Sequence, residues 1–138
     1  MNENHRMNDL KYAVICIDDD PFVLQMIGFQ LNKIINKNTT FLEFFTDPKL
    51  VSKNIKHLLE NQTEIIAVLV DYQMPRLNGS ELIREIIHLN PDLKFIMLSG
   101  QANEIIVEEL VHENVLYNFM AKPWEEEELF QLIQPLLK

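Results

Sequence analysis

Three acidic residues in a row, Asp18-Asp19-Asp20, close the first apolar run of the chain, Tyr12 to Ile17. Asp71 closes a later run, Ile65 to Val70, and Lys122 closes another, Tyr117 to Ala121. If these runs are strands of an open parallel sheet, their carboxyl ends share one edge, and groups far apart in the chain converge there. The site so formed would hold several carboxylates and one ammonium. Crowded carboxylates repel one another unless a hard cation sits among them, and Mg²⁺ is the usual choice because it takes oxygen ligands and keeps several waters. The constellation therefore reads as a Mg²⁺-dependent phosphoryl site.

The elements that would position these groups follow from the hydrophobic pattern. Five apolar runs alternate with five amphipathic stretches, the signature of a doubly wound α/β sheet rather than of hairpins. After the first strand, Asp20 can cap a helix with Pro21 at its first position, and Val23, Ile27, Leu31 and Ile34 mark one face. Phe41 to Phe45 is a second strand, Asp47-Pro48 repeats the cap-then-proline start, and Leu50, Ile55, Leu58 and Leu59 form the next apolar face. Ile65 to Val70 is apolar at consecutive positions, which predicts a central strand covered on both sides. The stretch Asp71 to Gly79 carries the Pro and Asn-Gly signals of a loop before a helix over Ser80 to His88. Phe95 to Leu98 is the fourth strand, followed by the loop Ser99-Gly100-Gln101. Ile105, Ile106, Leu110 and Val111 belong to a fourth helix that Asn114 could end in a left-handed conformation. The last helix has acidic residues 125 to 128 in its first turn, favourable for the helix dipole, and Leu129, Ile133, Leu136 and Leu137 as its stripe.

Composition narrows the function classes. A chain of 138 residues at 47% hydrophobic can bury one core but is too short for two domains. The net charge of −9 argues against a nucleic-acid surface, which needs clustered Lys and Arg. The single cysteine, Cys16, lies inside the first strand and reads as a buried apolar residue rather than a reactive thiol. No apolar run approaches the roughly 18 residues of a membrane span, and the polar start lacks the apolar stretch of a signal peptide, so the cytoplasm is the expected location. Residues 1–10 are expected to form a flexible arm ahead of one domain over residues 11–138.

On these residues the chain resembles a response-regulator receiver domain, the phosphoacceptor module of two-component signalling. The matching elements are the acidic cluster after the first strand, Asp71-Tyr72-Gln73-Met74-Pro75 with Gly79 after the third, Ser99 after the fourth, and Lys122-Pro123 after the fifth. Each is common alone, but four in the right order on the right strand ends are specific. The resemblance implies a flavodoxin-like five-stranded parallel sheet in the order 2-1-3-4-5 with five helices. It makes Asp71 the carboxylate nucleophile that accepts a phosphoryl group from a histidine kinase or a phosphotransfer protein. It assigns Mg²⁺ to Asp19, Asp71 and the backbone carbonyl of Gln73, with Asp18 acting through a water. Lys122 would be a point charge on the phosphoryl oxygens, and Ser99 would donate its hydroxyl to them. Gln73 and Gln101 would tune hydrolysis, while Gly100 leaves room for the phosphate. Ser99 and Phe119 would switch the surface made by the fourth helix, fifth strand and fifth helix. The protein would then be a phosphoacceptor switch with self-catalysed phosphotransfer and slow autodephosphorylation, not an enzyme that turns over a substrate.

Two departures accompany the resemblance. Phe119 stands where the family often has a tyrosine, keeping the ring and losing the hydroxyl. His112-Glu113-Asn114 lacks the glycine that often precedes the fifth strand, and Asn114 is a plausible substitute. The stretch Tyr117 to Leu129, with its Lys-Pro-Trp and acidic run, resembles receivers attached to cyclic-di-nucleotide enzymes or kinases. An output domain or downstream protein is therefore an expected partner, as is a second copy in a homodimer, with no nucleic acid or membrane.

Plainer readings hold at other positions. Asp20 is more economically a helix cap than a metal ligand. His5, His57, His88 and His112 lack metal-ligand spacing and read as surface residues. Glu125 to Glu128 is a helix start with a solvated face, and Trp124 either packs onto the last helix or anchors a partner. A haloacid-dehalogenase-type phosphatase is the nearest rival, since Asp18-Asp19-Asp20 contains its Asp-x-Asp spacing and Ser99 and Lys122 follow in its order. Position 22 is Phe where that family expects Thr or Val, no acidic pair follows a strand after Lys122, and Asp71 is left unexplained. A receiver-like binding module that no longer uses phosphate is the second rival, and the complete acidic set with Ser99 and Lys122 argues against it.

Overall fold

The computed structural model of the protein describes residues 10–100, 104–113 and 115–138. Nearly all of the expected N-terminal arm, together with Gln101 and Asn114, lies outside the described residues. Five strands, β1 (Tyr12–Ile17), β2 (Thr40–Phe45), β3 (Glu64–Asp71), β4 (Phe95–Ser99) and β5 (Asn118–Ala121), form one sheet in the order β2-β1-β3-β4-β5. Every neighbouring pair is parallel. Between and after them run five α-helices: α1 (Pro21–Leu31), α2 (Val51–Glu60), α3 (Gly79–Ile86), α4 (Glu104–His112) and α5 (Glu126–Ile133).

Parallel strands must be joined by crossovers, and helices on both faces bury the central strands, which explains the unbroken apolar runs of β1, β3 and β4. Alternate residues serve opposite faces. Ala13, Ile15 and Ile17 of β1 meet Val51 and Ile55 of α2, Leu82, Ile83 and Ile86 of α3, and Leu110 of α4. Val14 and Cys16 point the other way, to Leu24, Ile27 and Leu31 of α1 and Leu129 and Ile133 of α5. Cys16 is fully buried, and burial raises its thiol pKa well above the ordinary range.

Helix starts follow the sequence signals. The Asp20 carboxylate accepts from the Phe22 N–H at 2.9 Å, and Pro21 opens α1. Asp47 caps in the same way, but its proline begins a separate 3-10 turn, Pro48–Leu50, ahead of α2. That tighter turn shifts the phase, so Leu50, expected on the apolar face, is exposed. Ile105 lies in the fourth helix, as expected, and is exposed. It stands five positions from the buried Leu110, roughly 140° around the helix at 3.6 residues per turn, and the two cannot share a face. In α1, Leu24 is buried and Val23 only half-buried, a small rotation of the expected stripe. The third helix ends at Ile86 and tightens into a 3-10 turn through Leu89. In the same way α5 ends at Ile133, leaving Leu136 and Leu137 half-buried beyond it.

The loop from β3 to α3 depends on a close backbone approach. The Gly79 N–H donates to the Tyr72 carbonyl at 2.7 Å. A Cβ at Gly79 would stand 2.6 Å from the Asp71 carbonyl oxygen and 3.0 Å from the Tyr72 Cα, both backbone atoms that cannot swing aside. Gly79→Ala should therefore cost about 1–3 kcal/mol of overpacking, read as a lower urea midpoint. At Gly28 the atom met is the tip of the Phe44 ring at 2.9 Å, which can rotate. Gly28→Ala should cost clearly less, and equal midpoints for the two variants would show that the Gly79 approach is not rigid.

Candidate functional site

The carboxyl ends of β1, β3, β4 and β5 bring Asp18, Asp71, Ser99 and Lys122 to one edge of the sheet, as the spacing of the motifs requires. Register accounts for the meeting: Ile17 pairs with Val70, Asp71 with Leu98, and Ser99 with Ala121, so each chemical residue ends its strand or follows it. Hydrogen bonds across the strand ends continue the sheet into the site. Tyr72 N–H donates to the Leu98 carbonyl and Lys122 N–H to the Ser99 carbonyl, each at 2.9 Å.

Three carboxylate oxygens, one each from Asp18, Asp19 and Asp71, lie within 4.8 Å of one another. Asp18 is fully buried and Asp71 is 5% exposed, whereas Asp19 faces solvent. The Lys122 ammonium enters the cluster, donating to Asp18 Oδ2 at 2.8 Å and lying 3.0 Å from Asp71 Oδ1. The other oxygen of Asp18 accepts the Asp20 N–H at 2.9 Å, which ties this buried carboxylate to the cap of α1. Asp20 itself spends its side chain on the helix, as expected.

Burial pushes the Asp71 carboxyl up to about 6 from its ordinary 3.8; the charges of Asp18 and Asp19 add to the rise, and the bond from Lys122 opposes it. Burial alone would lower the Lys122 pKa, but its bonds to Asp18 and Asp71 outweigh burial and hold it above 10.5. Three carboxylates against one ammonium leave an excess of negative charge at short range, and the donors are all hard oxygens. That donor set fits a divalent cation of the Mg²⁺ type.

The raised Asp71 pKa has a consequence for stability without metal. Between the unfolded value of 3.8 and about 6, the folded protein holds a proton that the unfolded chain has lost, so stability falls as pH rises through this window. Across the whole window the loss is about 3 kcal/mol. Asp71→Asn removes it. In metal-free buffer the variant should be more stable than the parent at pH 7 by up to about 3 kcal/mol, with the difference vanishing near pH 4. Urea titrations at both pH values check this, and equal stability at pH 7 would mean that Asp71 is not strained by its neighbours.

Ser99 is buried at the end of β4, and Gly100 beside it has open space where a Cβ would stand. Gln73 is exposed in the loop after Asp71, and Phe119 is half-buried against the α2/α3/α4 side of the core. The Trp124 ring is packed rather than presented to a partner, and its indole N–H donates to Gln30 Oε1 of α1 at 3.0 Å. His57, His88 and His112 are exposed, in keeping with surface roles. A shallow groove of about 230 Å³ opens beside Asp19, between Thr46, Asp47 and Pro48 on one side and Pro75 and Arg76 on the other.

Two supports of the site went unread in the sequence. Asn78 caps α3 by accepting the Glu81 N–H at 2.9 Å while Glu81 accepts the Asn78 N–H at 3.2 Å. This capping box fixes the far end of the loop that begins at Asp71, and its Asn-x-x-Glu signal was available. The Asp18–Lys122 pair had no local signal, because its members are 104 positions apart.

A family model described as response regulator receiver domain matches residues 14–134. Among curated proteins, the response regulator protein TodT of Pseudomonas putida is 23% identical over 132 residues, which cover 96% of this chain and 54% of that protein. The sensor kinase CckA of Brucella abortus is 31% identical over 75 residues, 54% of this chain and 8% of that protein. This chain thus spans about half, or much less, of the length of these relatives. Among solved structures, a response regulator receiver domain protein from Clostridium thermocellum aligns with a TM-score of 0.74 at 23% identity, covering 91% of this chain and 94% of that one. The CheX-CheY-BeF3-Mg complex from Borrelia burgdorferi aligns at 0.75 with 18% identity, covering 92% of this chain and 90% of that one.

Proposed function

The chain belongs to the response regulator receiver domain family, and from that premise we propose that Asp71 accepts a phosphoryl group in a Mg²⁺-dependent reaction. The observation that carries this reading is the triad of Asp18, Asp19 and Asp71 carboxylates within 4.8 Å, with Lys122 bonded into it. The match over residues 14–134 favours this reading over the phosphatase rival, which leaves Asp71 unexplained. The receiver unit runs over residues 11–138. In the described residues no helix is long and apolar enough to cross a membrane, which agrees with a cytoplasmic setting.

Mg²⁺, when bound, supplies positive charge to the phosphoryl oxygens and offsets the carboxylates. Asp19, Asp71 and the Gln73 carbonyl, with Asp18 through a water, are the groups that would hold it, and the close approach of the three carboxylates supports that choice. An Asp71 oxygen attacks phosphorus; one O–P bond forms, and the P–N bond of a phosphohistidine, or the P–O bond of an acyl phosphate, breaks. Lys122 moves from its bond with the Asp71 carboxylate to the phosphoryl oxygens, where a fixed positive charge is worth most with water excluded. Ser99, buried at the end of the adjacent strand, donates its hydroxyl to the same group. Gln73 and Gln101 border the path of the hydrolytic water and set the lifetime of the acyl phosphate. Drawing Ser99 toward the phosphoryl group frees space into which Phe119 turns, and the face of α4, β5 and α5 is remodelled. An output domain or a downstream protein reads that face, and the donor is a histidine kinase or a phosphotransfer protein.

Incubation with acetyl phosphate and Mg²⁺, followed by intact-mass measurement, tests the central claim. A gain of one phosphoryl group that disappears with chelator is expected. No gain with either acetyl phosphate or phosphoramidate would sink it and leave a receiver-like module that does not use phosphate.

A further inference from the structure

The groove beside Asp19 has a single cation in its walls. Of the residues that line it, Arg76 alone is basic, while Asp19 and Asp47 are acidic. Arg76 is exposed and, among the described residues, makes no ion pair with either carboxylate or with any other. Asp47 is engaged elsewhere, its side chain accepting the Lys49 N–H at 3.0 Å, and Asp19 is one of the three clustered carboxylates. The loop that carries Arg76 is fixed on both sides. Ahead of it Met74 is 8% exposed and packs into the core, and Pro75 restricts the backbone. Beyond it Asn78 caps α3, and the Gly79 N–H bonds back to the Tyr72 carbonyl at 2.7 Å. The base of the Arg76 side chain is therefore set in place five positions after Asp71, and only its stem can swing.

A divalent cation together with Lys122 would match the three charges of Asp18, Asp19 and Asp71, which leaves the reacting centre close to neutral. An approaching anion is then repelled by what surrounds that centre: Asp20 and Asp47 stand at its rim, in a chain of net charge −9. We propose that Arg76 supplies the opposing charge, binding the anionic group of the phosphodonor at the groove and so favouring dianionic donors over less charged ones. This role rests on the phosphoacceptor reading of Asp71 and adds to it the residue that selects the donor. A guanidinium suits the task, because it stays charged at every working pH and presents a planar fork of N–H donors to phosphoryl oxygens. Lys122 is not available for first capture, since its ammonium is held 2.8 Å from Asp18 and 3.0 Å from Asp71.

Two donors of different charge test it on the full chain: acetyl phosphate, a dianion at neutral pH, and phosphoramidate, a monoanion. Intact mass followed over time, at saturating Mg²⁺ and low ionic strength, gives a phosphorylation rate per unit of donor concentration for each. Arg76→Gln should lower the acetyl phosphate rate by about three- to tenfold, and the phosphoramidate rate by only about the square root of that factor, because Coulomb energy scales with the donor's charge. Arg76→Lys should keep most of the rate. In about 1 M salt, where the screening length falls to about 3 Å, the acetyl phosphate deficit of Arg76→Gln should shrink to about twofold or less. Lys94→Gln removes the same charge from an exposed position at the opposite edge of the sheet, just ahead of β4, and should change neither rate. Calorimetric titration should show Mg²⁺ binding slightly tighter in Arg76→Gln than in the parent, opposite in sign to the rate effect, whereas a damaged loop would weaken both. Equal rates for Arg76→Gln and the parent, equal losses with the two donors, or weaker Mg²⁺ binding would each overturn the role of Arg76, and labelling of the parent would still uphold the phosphoacceptor reading. A parent labelled by neither donor would remove both.

Discussion

Asp71→Asn should abolish phosphorylation: after incubation with acetyl phosphate and Mg²⁺, the variant's intact mass should be unchanged while the parent gains one phosphoryl group. The amide is nearly isosteric, so the loop between β3 and α3 and the Gly79 approach are preserved, and only the nucleophilic oxygen is lost. Asp18 and Asp19 are nearby carboxylates, but Asp18 is fully buried and has both oxygens engaged, by the Asp20 N–H and by Lys122. It is not free to attack. The same variant should gain stability in metal-free buffer at pH 7, so loss of labelling cannot be ascribed to unfolding. Labelling of Asp71→Asn at the parent's rate would show that the phosphoacceptor is a different residue.

Lys122→Met should lower the rate of phosphorylation by roughly 10²–10³, the cost of removing one fixed charge from a developing oxyanion. Methionine keeps most of the stem's volume and leaves Asp18 and Asp71 without their counter-charge. The fold should therefore lose about 1–3 kcal/mol in metal-free buffer, the penalty for a buried charged group without its partner. Mg²⁺ should restore more stability to the variant than to the parent, because the ion then becomes the only cation in the cluster. The gain of the phosphoryl group timed by intact mass gives the first effect, and urea midpoints with and without Mg²⁺ give the second. A parent-like rate would mean that Lys122 serves only to pair with Asp18.

Both outcomes depend on groups whose roles are unequally visible along the chain. Asp71 and Lys122 stand at the ends of apolar runs, and an open parallel sheet admits only one edge for strand carboxyl ends, so their convergence follows from hydrophobic pattern alone. The caps at Asp20 and Asp47 were equally legible, because a cap is a local bond between a side chain and a backbone N–H two residues away. Leu50 was misjudged for a related reason: apolar character shows that a residue can be buried, whereas helical phase decides whether it is. A 3-10 turn ahead of α2 moved Leu50 outward.

The sequence by itself determined the strand and helix order, the residues available at the site and their hard-oxygen chemistry, since these rest on periodicity and side-chain type. The tertiary structure alone decided how those groups are paired. Lys122 bridges Asp18 and Asp71, the burial of Asp71 raises its pKa, and Gly79 must be bare because a backbone passes 2.6 Å from where its Cβ would be. Trp124 turns inward to Gln30 while Phe22, Met26 and Phe29 stay outside. Apart from the Gly79 approach, which closes a loop of eight residues, each of these depends on the distance between atoms tens of positions apart in the chain, or on which side of a helix the sheet occupies, and neither quantity is encoded in any local stretch of residues.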